Sequence, residues 1–238
     1  MSIVNLGAGS KNSSTCEQYS VKILNSEDLL QSYSLRYKVF TEELMWTKYS
    51  SLQLETDSYE DGSISFGVFG RGGELEASLR LIPSSNKYML EQDFSFLVEK
   101  NHKIRKSLDT AEITRLCMKK VTRKKLIEYP FGKHSVSLLL YRELFQWCLL
   151  NNIRYIYMVV ELKVLRLLNI IGFPCGAIGE PIKMPDGVFA IAAILDWNSF
   201  NRLNRDKNPE FLKWFLSEEL PNNQLFQQQC QQQLLETG

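Results

Sequence analysis

The apolar residues of this chain follow two periods in turn, first that of a strand and then that of a helix. The segment "YSVKIL" (19–24) alternates apolar and polar positions, which predicts a strand. The next segment, "EDLLQSYSLRYKVFTEELMW", carries apolar residues at helical spacing and predicts a helix with Ser26 as its N-cap. The segment "SISFGVFGRGGELEASLRLIP" then predicts a β-hairpin that turns at Gly70–Gly73 and stops at Pro83.

The second half of the chain predicts a strand–helix–strand unit. Its parts are a strand at about 112–119, a helix at about 134–150 and an apolar strand at about 153–160. Such a crossover is right-handed, and its two strands are parallel. The remaining predictions are a loop with a short helix over 84–110, a helix closed by Gly172, strands near 175–180 and 188–196, and a last helix starting at Asn208–Pro209. An antiparallel front half joined to this unit predicts a three-layer α/β/α domain with a mixed central sheet.

The two ends of the chain differ from its middle in composition. Residues 1–18 are rich in Gly, Ser and Asn, which predicts a mobile arm, and residues 221–238 form a glutamine-rich tail. Between them no repeat and no linker composition interrupts the pattern. We therefore expect a single domain over 19–220, with ample length for a core.

The overall composition argues against several classes of function. The formal net charge of +1 gives no general field that would favour nucleic acid or a membrane surface. Five cysteines without a CxxC pair and two histidines lack metal-site spacing, so reduced thiols are the simplest account. The N-terminus lacks a signal-peptide pattern, and no apolar run approaches the about 18 residues of a membrane span. We expect a soluble, cytoplasmic protein.

The charge is nevertheless uneven along the chain. The segments "KNHKIRK" (100–106) and "KKVTRKK" (119–125) are both strongly basic. Such runs are either solvated loops or a docking surface for an acidic partner, and the pattern leaves both interpretations open.

The stretch "AEITRLCM" (111–118) places two charges among strand-like apolar residues. Glu112 and Arg115 are three positions apart, so they fall on opposite faces of an ideal strand. Because an unpaired buried charge is costly, the strand must bulge, or each charge must have its own partner. In a strand that ends at a cleft, Glu112 would serve as a base, directly or through water. Arg115 would pair with an acid such as Asp57 or hold a substrate carboxylate, and Glu112 is also a candidate partner for Arg80.

Two other segments carry candidate binding groups. Arg36 and Phe40 share one face of the first helix, with Trp46 further on, and this is either snorkelling over a core or a pocket for a small polar substrate. The acidic segment "LETDSYEDG" (54–62) either makes a turn at Asp61–Gly62 or binds a substrate ammonium group.

Four segments, "LRYKVFTEELMW", "ETDSYE", "SLRLIP" and "EITRLCM", in this order and at these distances, resemble the autoinducer-synthase branch of the GNAT acyltransferases. That branch includes acyl-homoserine lactone synthases and long-chain N-acyl amino acid synthases, such as N-acyl tyrosine synthases. The resemblance runs from about Tyr19 to Trp197. It implies the GNAT fold with a partly splayed central sheet. It also implies that the family's signature positions are Arg36, Phe40, Trp46, Asp57, Arg80, Glu112 and Arg115.

The resemblance further implies an acyl donor on a phosphopantetheine arm. Coenzyme A-binding relatives hold the pyrophosphate on a glycine-rich loop before a helix, whereas the equivalent segment here, "RKKLIEYPFGKHSV", has the single glycine Gly132. We therefore expect an acyl carrier protein as the donor and no bound cofactor. The acidic surface of such a carrier would suit a set of basic residues, Lys103, Arg105, Arg123, Lys124 and Lys125.

The expected mechanism is attack of an amine on the acyl thioester. Glu112 would help to deprotonate the amine of the acceptor, and the remaining signature residues would bind the substrate. The backbone N–H groups of Leu116, Cys117 and Met118 would stabilise the oxyanion, where one preorganised donor is worth ~3 kcal/mol. The acyl chain would run past three apolar residues that equally suit a plain core, Leu138, Leu139 and Met158.

Within the branch, the segment "GFPCGAIGEPI" (172–182) looks more like the N-acyl amino acid synthases. Lactone synthases commonly have a second Asp in the acidic loop, where this chain has Glu60, or Asp61 if one gap is allowed. An aromatic residue that often follows the signature arginine is replaced by Leu116. We therefore expect an N-acyl amino acid synthase, with a lactone synthase that uses S-adenosylmethionine as the alternative.

Three rival interpretations have weaker support. Cys117 would be a nucleophile, but no histidine is placed to activate it, and His134 near the predicted helix start is better explained as a capping or surface residue. A non-enzymatic domain that only binds acyl chains or a carrier would not need the complete signature set. A nucleic-acid binder lacks any known motif here.

Overall fold

Residues 19–217 are the part of the chain that this computed structural model describes, so the predicted arm (1–18) and glutamine-rich tail (221–238) lie outside it. The strands are β1 (Tyr19–Ile23), β2 (Ile64–Gly70), β3 (Leu75–Pro83), β4 (Thr110–Met118), β5 (Leu126–Tyr129), β6 (Gly132–Ser135), β7 (Tyr155–Glu161), β8 (Cys175–Ala177), β9 (Ile182–Lys183) and β10 (Phe189–Asp196). The α-helices are α1 (Ser26–Arg36), α2 (Met89–Gln92), α3 (Ser137–Leu150), α4 (Leu162–Ile171), α5 (Trp197–Lys207) and α6 (Pro209–Leu216).

The main sheet has eight strands, in the order β1-β2-β3-β4-β7-β10-β8, with β9 paired to β10. Its pairs are antiparallel except for β4 and β7, which are parallel and are connected through α3. The predicted strand–helix–strand unit is therefore confirmed, as is the mixed sheet. The strand at 19–24 and the hairpin that stops at Pro83 are confirmed as well.

The parallel pair of strands separates part of the way along its length. The pairing runs from Thr110 opposite Tyr155 to Ile113 opposite Met158. Both strands then continue, β4 to Met118 and β7 to Glu161, without pairing to each other. This separation, which we call the splay, opens a gap at the carboxyl ends of the two central strands.

Helices cover both faces of the sheet and make the predicted three layers. On one face, side chains of α3 to α6 join the inward residues of the strands in one large core that is rich in aromatic rings, among them Phe145, Trp197, Phe200 and Phe215. On the other face, α1 packs over β3 and β4 with Leu35, and Phe40, just after α1, joins the same cluster. The short helix α2 packs there in a third cluster. The burial of these apolar side chains is what fixes the strands beneath the site.

The start and the end of the first helix differ from the prediction. Asn25, not Ser26, is the N-cap: its side chain accepts the N–H of Asp28 at 2.9 Å, and Asp28 accepts the N–H of Asn25 at 3.2 Å. After Arg36 the helix widens into a π-helical segment, Tyr37–Glu43, and it ends before Trp46. Such π-segments are frequently found at functional sites.

Two elements were missed in the sequence. The segment expected to be a degenerate pyrophosphate loop forms the β5–β6 hairpin, and His134 lies in β6 rather than at the start of a helix. Helix α5 was also missed, although Asp196 caps it by accepting the N–H of Asn198 at 3.1 Å. Its sequence, "WNSFNRLNRDK", is rich in asparagine, which favours helix interiors poorly. Within residues 19–217, no helix combines the length and the apolar character needed to cross a membrane.

Candidate active site

A bulge in β4 explains the two charges of "AEITRLCM". Ser78 pairs with Cys117 and Arg80 pairs with Thr114, so that Leu79 faces two residues of β4. Arg115 is one of these two, and its φ of 53° lies in the left-handed region. A residue other than glycine in that region costs about 1–3 kcal/mol and is held there by its surroundings. The sequence allowed either a bulge or separate partners, and both are present.

Arg115 belongs to a buried arginine–carboxylate cluster. Three arginines meet three acids in it: Arg36, Arg80, Arg115, Glu55, Asp57 and Glu60. Arg115 donates through Nη2 to Asp57 at 2.7 Å and to Glu55 at 3.0 Å. Its predicted pairing with Asp57 is therefore confirmed.

The other two arginines are almost completely buried, with 1% of each side chain exposed. Arg36 donates to Glu55 at 2.5 Å and to Glu60 at 2.7 Å. Arg80 holds both oxygens of Asp57, at 2.6 and 2.9 Å, and also Glu60 at 2.7 Å. Of the two candidates for the second acid of the acidic loop, Glu60 is therefore the one that binds the arginines. Asp61 is exposed in the turn before Gly62.

The guanidinium groups of the cluster hold Asp57 ionised. Burial raises the pKa of Asp57, but the hydrogen bonds and charges of Arg80 and Arg115 outweigh it and lower this pKa to about 2. Burial also disfavours the charge of Arg36, yet the hydrogen bond to Glu60 and the charge of Glu55 raise its pKa. The formal charges of its three arginines and three acids sum to zero.

Two guanidinium donors remain poorly used inside this neutral cluster. Arg36 Nη1 is buried and has no hydrogen-bond acceptor among the described residues. Arg115 Nη1 lies 3.5 Å from the thioether sulfur of Met89, which is also 3.4 Å from Arg80 Nη2. A thioether is a weak acceptor, so Arg115 keeps a donor free for a better one.

An aromatic wall lies beside Arg115. The guanidinium carbon of Arg115 is 5.7 Å from the centre of the Phe40 ring. Trp46 stacks on Phe40, with ring centres 6.1 Å apart and an interplanar angle of 15°. Its indole N–H donates to Asp186 at 2.6 Å. Six of the predicted site residues are therefore brought together at one place: Arg36, Phe40, Trp46, Asp57, Arg80 and Arg115.

Glu112 stands beside the cluster rather than in it. It is fully buried and accepts the N–H groups of Met89 at 2.6 Å and of Leu90 at 3.0 Å, the first two residues of α2. Burial raises its pKa to about 7, against the lowering effect of these two amides and of Arg80. Met89 therefore connects the two parts of the site, since its backbone binds Glu112 while its sulfur faces Arg115.

The prediction that Glu112 is the partner of Arg80 was wrong. The register of β3 and β4 places Ile82, not Arg80, opposite Glu112. Arg80 lies opposite Thr114 and donates to its hydroxyl at 3.0 Å, while the rest of the guanidinium reaches Asp57.

Cys117 lies next to the bulge in a closed environment. Its side chain is 3% exposed, its sulfur is 3.3 Å from the hydroxyl of Ser78, and burial raises its pKa to about 11. A thiol with such a pKa is a poor nucleophile at neutral pH. The side chains of Leu116 and Met118 pack against the large core.

The amide directions in this part of β4 follow from one hydrogen bond. Lys119, directly after the strand, donates its N–H to Glu76 on the side of β3 at 2.9 Å. Because amides in an antiparallel pair alternate in direction, that of Cys117 also points to β3. That of Met118 points away from β3, toward the splay, whereas Leu116 lies in the bulge, where this alternation is interrupted.

The two basic segments lie at opposite ends of β4, a strand about 30 Å long from its nine residues. Arg105 binds Asp109 at 2.7 Å just before β4 begins. Arg123 binds Glu43 at 2.5 Å just after β4 ends, beside the exposed Lys124 and Lys125. Lys103 is exposed near Arg105. Only the segment that follows β4 is near the splay.

Two residues of the site had no signal in the sequence. Met89 lies in a short helix whose place depends on Glu112, and Asp186 lies in a turn far along the chain. Glu55 and Glu60 were recognised only as members of an acidic loop. Their partners became visible only with the fold.

The comparisons with known proteins agree on one family. A family profile described as "Autoinducer synthase" matches residues 20–203. An acyl-homoserine-lactone synthase of Vibrio anguillarum is 26% identical over 155 residues, which are 64% of this chain and 77% of the relative. One of Agrobacterium fabrum is 28% identical over 170 residues, 70% of this chain and 78% of the relative.

Solved structures show the same fold at low sequence identity. The structure of BjaI, described as a CoA-dependent acyl-homoserine lactone synthase, has a TM-score of 0.66 and 21% identity, with 79% of this chain and 88% of that chain covered. FeeM, described as an N-acyl amino acid synthase from uncultured soil microbes, has a TM-score of 0.55 and 16% identity, with 78% and 94% covered. The predicted GNAT-like fold is thereby confirmed.

Proposed function

Because the chain belongs to the autoinducer synthase family and is therefore an acyltransferase, we propose that it makes a long-chain N-acyl amino acid. The acyl group comes from the thioester of an acyl carrier protein, and the acceptor is the α-amine of an amino acid. The observation that carries an acceptor with a free carboxylate is the poorly used donor of Arg115 in the arginine–carboxylate cluster.

All three carboxylates of the cluster are engaged by its three guanidinium groups. Both an amino acid and S-adenosylmethionine bring an α-carboxylate to this cluster. The choice of the amino acid rests on the two departures from the lactone synthases in the sequence, Leu116 and the segment 172–182. The carboxylate of the acceptor suits Arg115 Nη1, whose present acceptor is the weak sulfur of Met89.

The proposed reaction forms an amide and breaks a thioester. The acceptor nitrogen, after losing a proton, attacks the thioester carbonyl carbon, and the oxygen of that carbonyl becomes an oxyanion. The amide of Met118, which points toward the splay, is suited to bind this oxyanion. Collapse of the intermediate breaks the carbon–sulfur bond, and the phosphopantetheine thiolate leaves and takes up a proton.

Glu112 is the proposed acceptor of the proton of the amine, through a water molecule because its side chain is fully buried. Its pKa of about 7 is suited to that role near neutral pH. The two amides of α2 occupy one lone pair on each oxygen, and a carboxylate oxygen has a second.

For the carrier protein, the proposed docking site is the basic segment after β4. Lys124 and Lys125 are exposed there, near the open end of the splay. Lys103 and Arg105 lie at the far end of β4, and Arg105 is already bound to Asp109. The proposed docking site therefore consists only of the basic segment that follows β4.

A second candidate function is acyl-homoserine lactone synthesis from S-adenosylmethionine. The curated relatives quoted above favour it, since they carry that name. The donor also has an alternative, because BjaI is described as CoA-dependent.

Mass spectrometry of lipid extracts from bacteria that produce the protein tests the proposal. Long-chain N-acyl amino acids are expected, and they should vanish in Arg115→Ala while Arg115→Lys, which keeps the charge, retains a part. Both variants should first be shown by circular dichroism to be folded. Acyl-homoserine lactones in place of N-acyl amino acids would contradict the proposed acceptor.

A further inference from the structure

One hydrogen bond joins two segments that are 140 residues apart. The indole N–H of Trp46 donates to Oδ2 of Asp186 at 2.6 Å. Asp186 lies in the tight turn between β9 and β10, where Gly187, at a φ of 87°, donates its N–H to Met184 at 2.9 Å. Oδ1 of Asp186 accepts the N–H of Val188 at 3.0 Å. The carboxylate is therefore held by its own turn before it meets Trp46.

This bond connects the two halves of the sheet across the splay. Trp46 follows the helix that packs over β3 and β4. Asp186 precedes β10, and Ala190 at the start of β10 pairs with Glu161 at the end of β7. The ends of β4 and β7 are the open end of the splay, so a link from one side to the other closes it on this face.

On the other side, Trp46 is continuous with the acceptor site. Its backbone N–H donates to the carbonyl of Phe40 at 2.7 Å, and its ring stacks on Phe40, which borders Arg115. The backbone alone does not fix the indole, since Trp46 is 48% exposed and the preceding Met45 is 83% exposed. The stacking on Phe40 and the bond to Asp186 are the contacts that set the direction of the ring.

We propose that Asp186 is a positioning residue of the acceptor site, acting through Trp46. It holds the indole over Phe40, so that the aromatic wall beside Arg115 stays formed when the acceptor binds. The inference rests on the proposed function, because it assigns the wall to the acceptor. It predicts an effect on acceptor binding rather than on the acyl-transfer step.

The test compares four variants with the wild-type enzyme. Asp186→Ala removes the acceptor of the hydrogen bond, and Asp186→Asn keeps an oxygen that can accept it. Trp46→Phe keeps an aromatic ring but lacks the N–H. Asp206→Ala removes an equally exposed aspartate from α5 and serves as the control.

The first measurement is ¹⁹F NMR of protein labelled with 5-fluorotryptophan, with the Trp46 signal assigned from Trp46→Phe. Asp186→Ala should shift and narrow that signal, whereas Asp186→Asn should leave it close to its original position. The same signal unchanged in Asp186→Ala would overturn the proposal.

The second measurement is steady-state kinetics with the carrier thioester and the amino acid varied in turn. Asp186→Ala and Trp46→Phe should each raise the KM for the amino acid about fivefold, the effect of one hydrogen bond to a charged group at a partly exposed site. The KM for the carrier thioester and kcat should stay within about twofold, and the double variant should show no further rise. Equal KM values in Asp186→Ala and Asp206→Ala, or additive effects in the double variant, would overturn the proposal. An inactive wild type would instead refute the proposed function, and the NMR signal would still decide whether Asp186 positions the indole.

Discussion

The substitution Asp57→Asn tests whether the arginine–carboxylate cluster is a balanced unit. It removes one negative charge and keeps the shape of the side chain. Asp57 holds both N–H arms of Arg80 and one of Arg115, and its side chain is 16% exposed. Three buried guanidinium groups would then share two carboxylates.

The expected loss of stability can be worked out from the structure in two steps. The pKa of Asp57 falls from its usual 3.8 to about 2 in the folded protein, and at about 1.4 kcal/mol per pKa unit this corresponds to about 2 kcal/mol of stability. The variant also leaves a buried guanidinium without its counter-charge, which brings the loss to about 3–5 kcal/mol.

The sign of the pH dependence is fixed by the direction of the shift. Because the pKa of Asp57 is lowered on folding, its contribution is fully present above pH 3.8 and is lost as the pH falls toward 2. The difference in stability between wild type and Asp57→Asn should therefore be constant near pH 7 and shrink below pH 4.

The assay is urea unfolding followed by circular dichroism, with Asp61→Asn as a matched control. Asp61 lies in the same loop but is exposed in a turn, so its variant should change the free energy of unfolding by less than about 0.5 kcal/mol. Equal stabilities of Asp57→Asn and Asp61→Asn would refute the view of the cluster as a charge-balanced unit.

Three further predictions concern turnover. Glu112→Gln turns an amide NH₂ toward one of the α2 amides, so it should lower stability by about 1–3 kcal/mol. It should also abolish the rise of kcat with pH through about 7 that the pKa of Glu112 predicts. A pH–rate profile like that of the wild type would contradict the role of Glu112 as the base. Cys117→Ala should keep kcat within about twofold, because the thiol is buried and protonated. A folded but inactive variant would support Cys117 as a nucleophile. Lys124→Glu with Lys125→Glu should raise the KM for the carrier thioester about tenfold at low salt and much less at high salt. Lys103→Glu, at the far end of β4, should leave this KM unchanged. An equal rise of KM in Lys103→Glu and in the Lys124→Glu, Lys125→Glu variant would argue against the proposed docking site.

Local patterns predicted most of the fold because they depend on neighbouring residues. The alternation in "YSVKIL" and the glycine turn after Phe69 each specify a strand or a hairpin without reference to the rest of the chain. Local patterns did not predict the helix α5, because its asparagines favour caps and loops. What holds it is tertiary packing of Trp197 and Phe200 in the aromatic core.

Most members of the site were predictable from the sequence, as was the pairing of Arg115 with Asp57, but the other pairings were not. Strand periodicity showed that Glu112 and Arg115 could not share an ideal face, which required either a bulge or separate partners. Which residue lies opposite Arg80 depends on the register of β3 and β4. The bulge in β4 shifts this register by one residue for every pair beyond it. No local pattern could show that Asp186 reaches Trp46, because the contact exists only once the two halves of the sheet are side by side.

The most direct measurement of the central claim uses the purified protein and a long-chain acyl carrier protein thioester. The enzyme is offered all common amino acids and S-adenosylmethionine together, at equal concentrations, and the products are identified by mass spectrometry. N-acyl amino acids are expected, and their mass will identify the preferred acceptor. A product consisting of acyl-homoserine lactone would contradict this expectation, and would show that the neutral cluster accepts a cationic substrate.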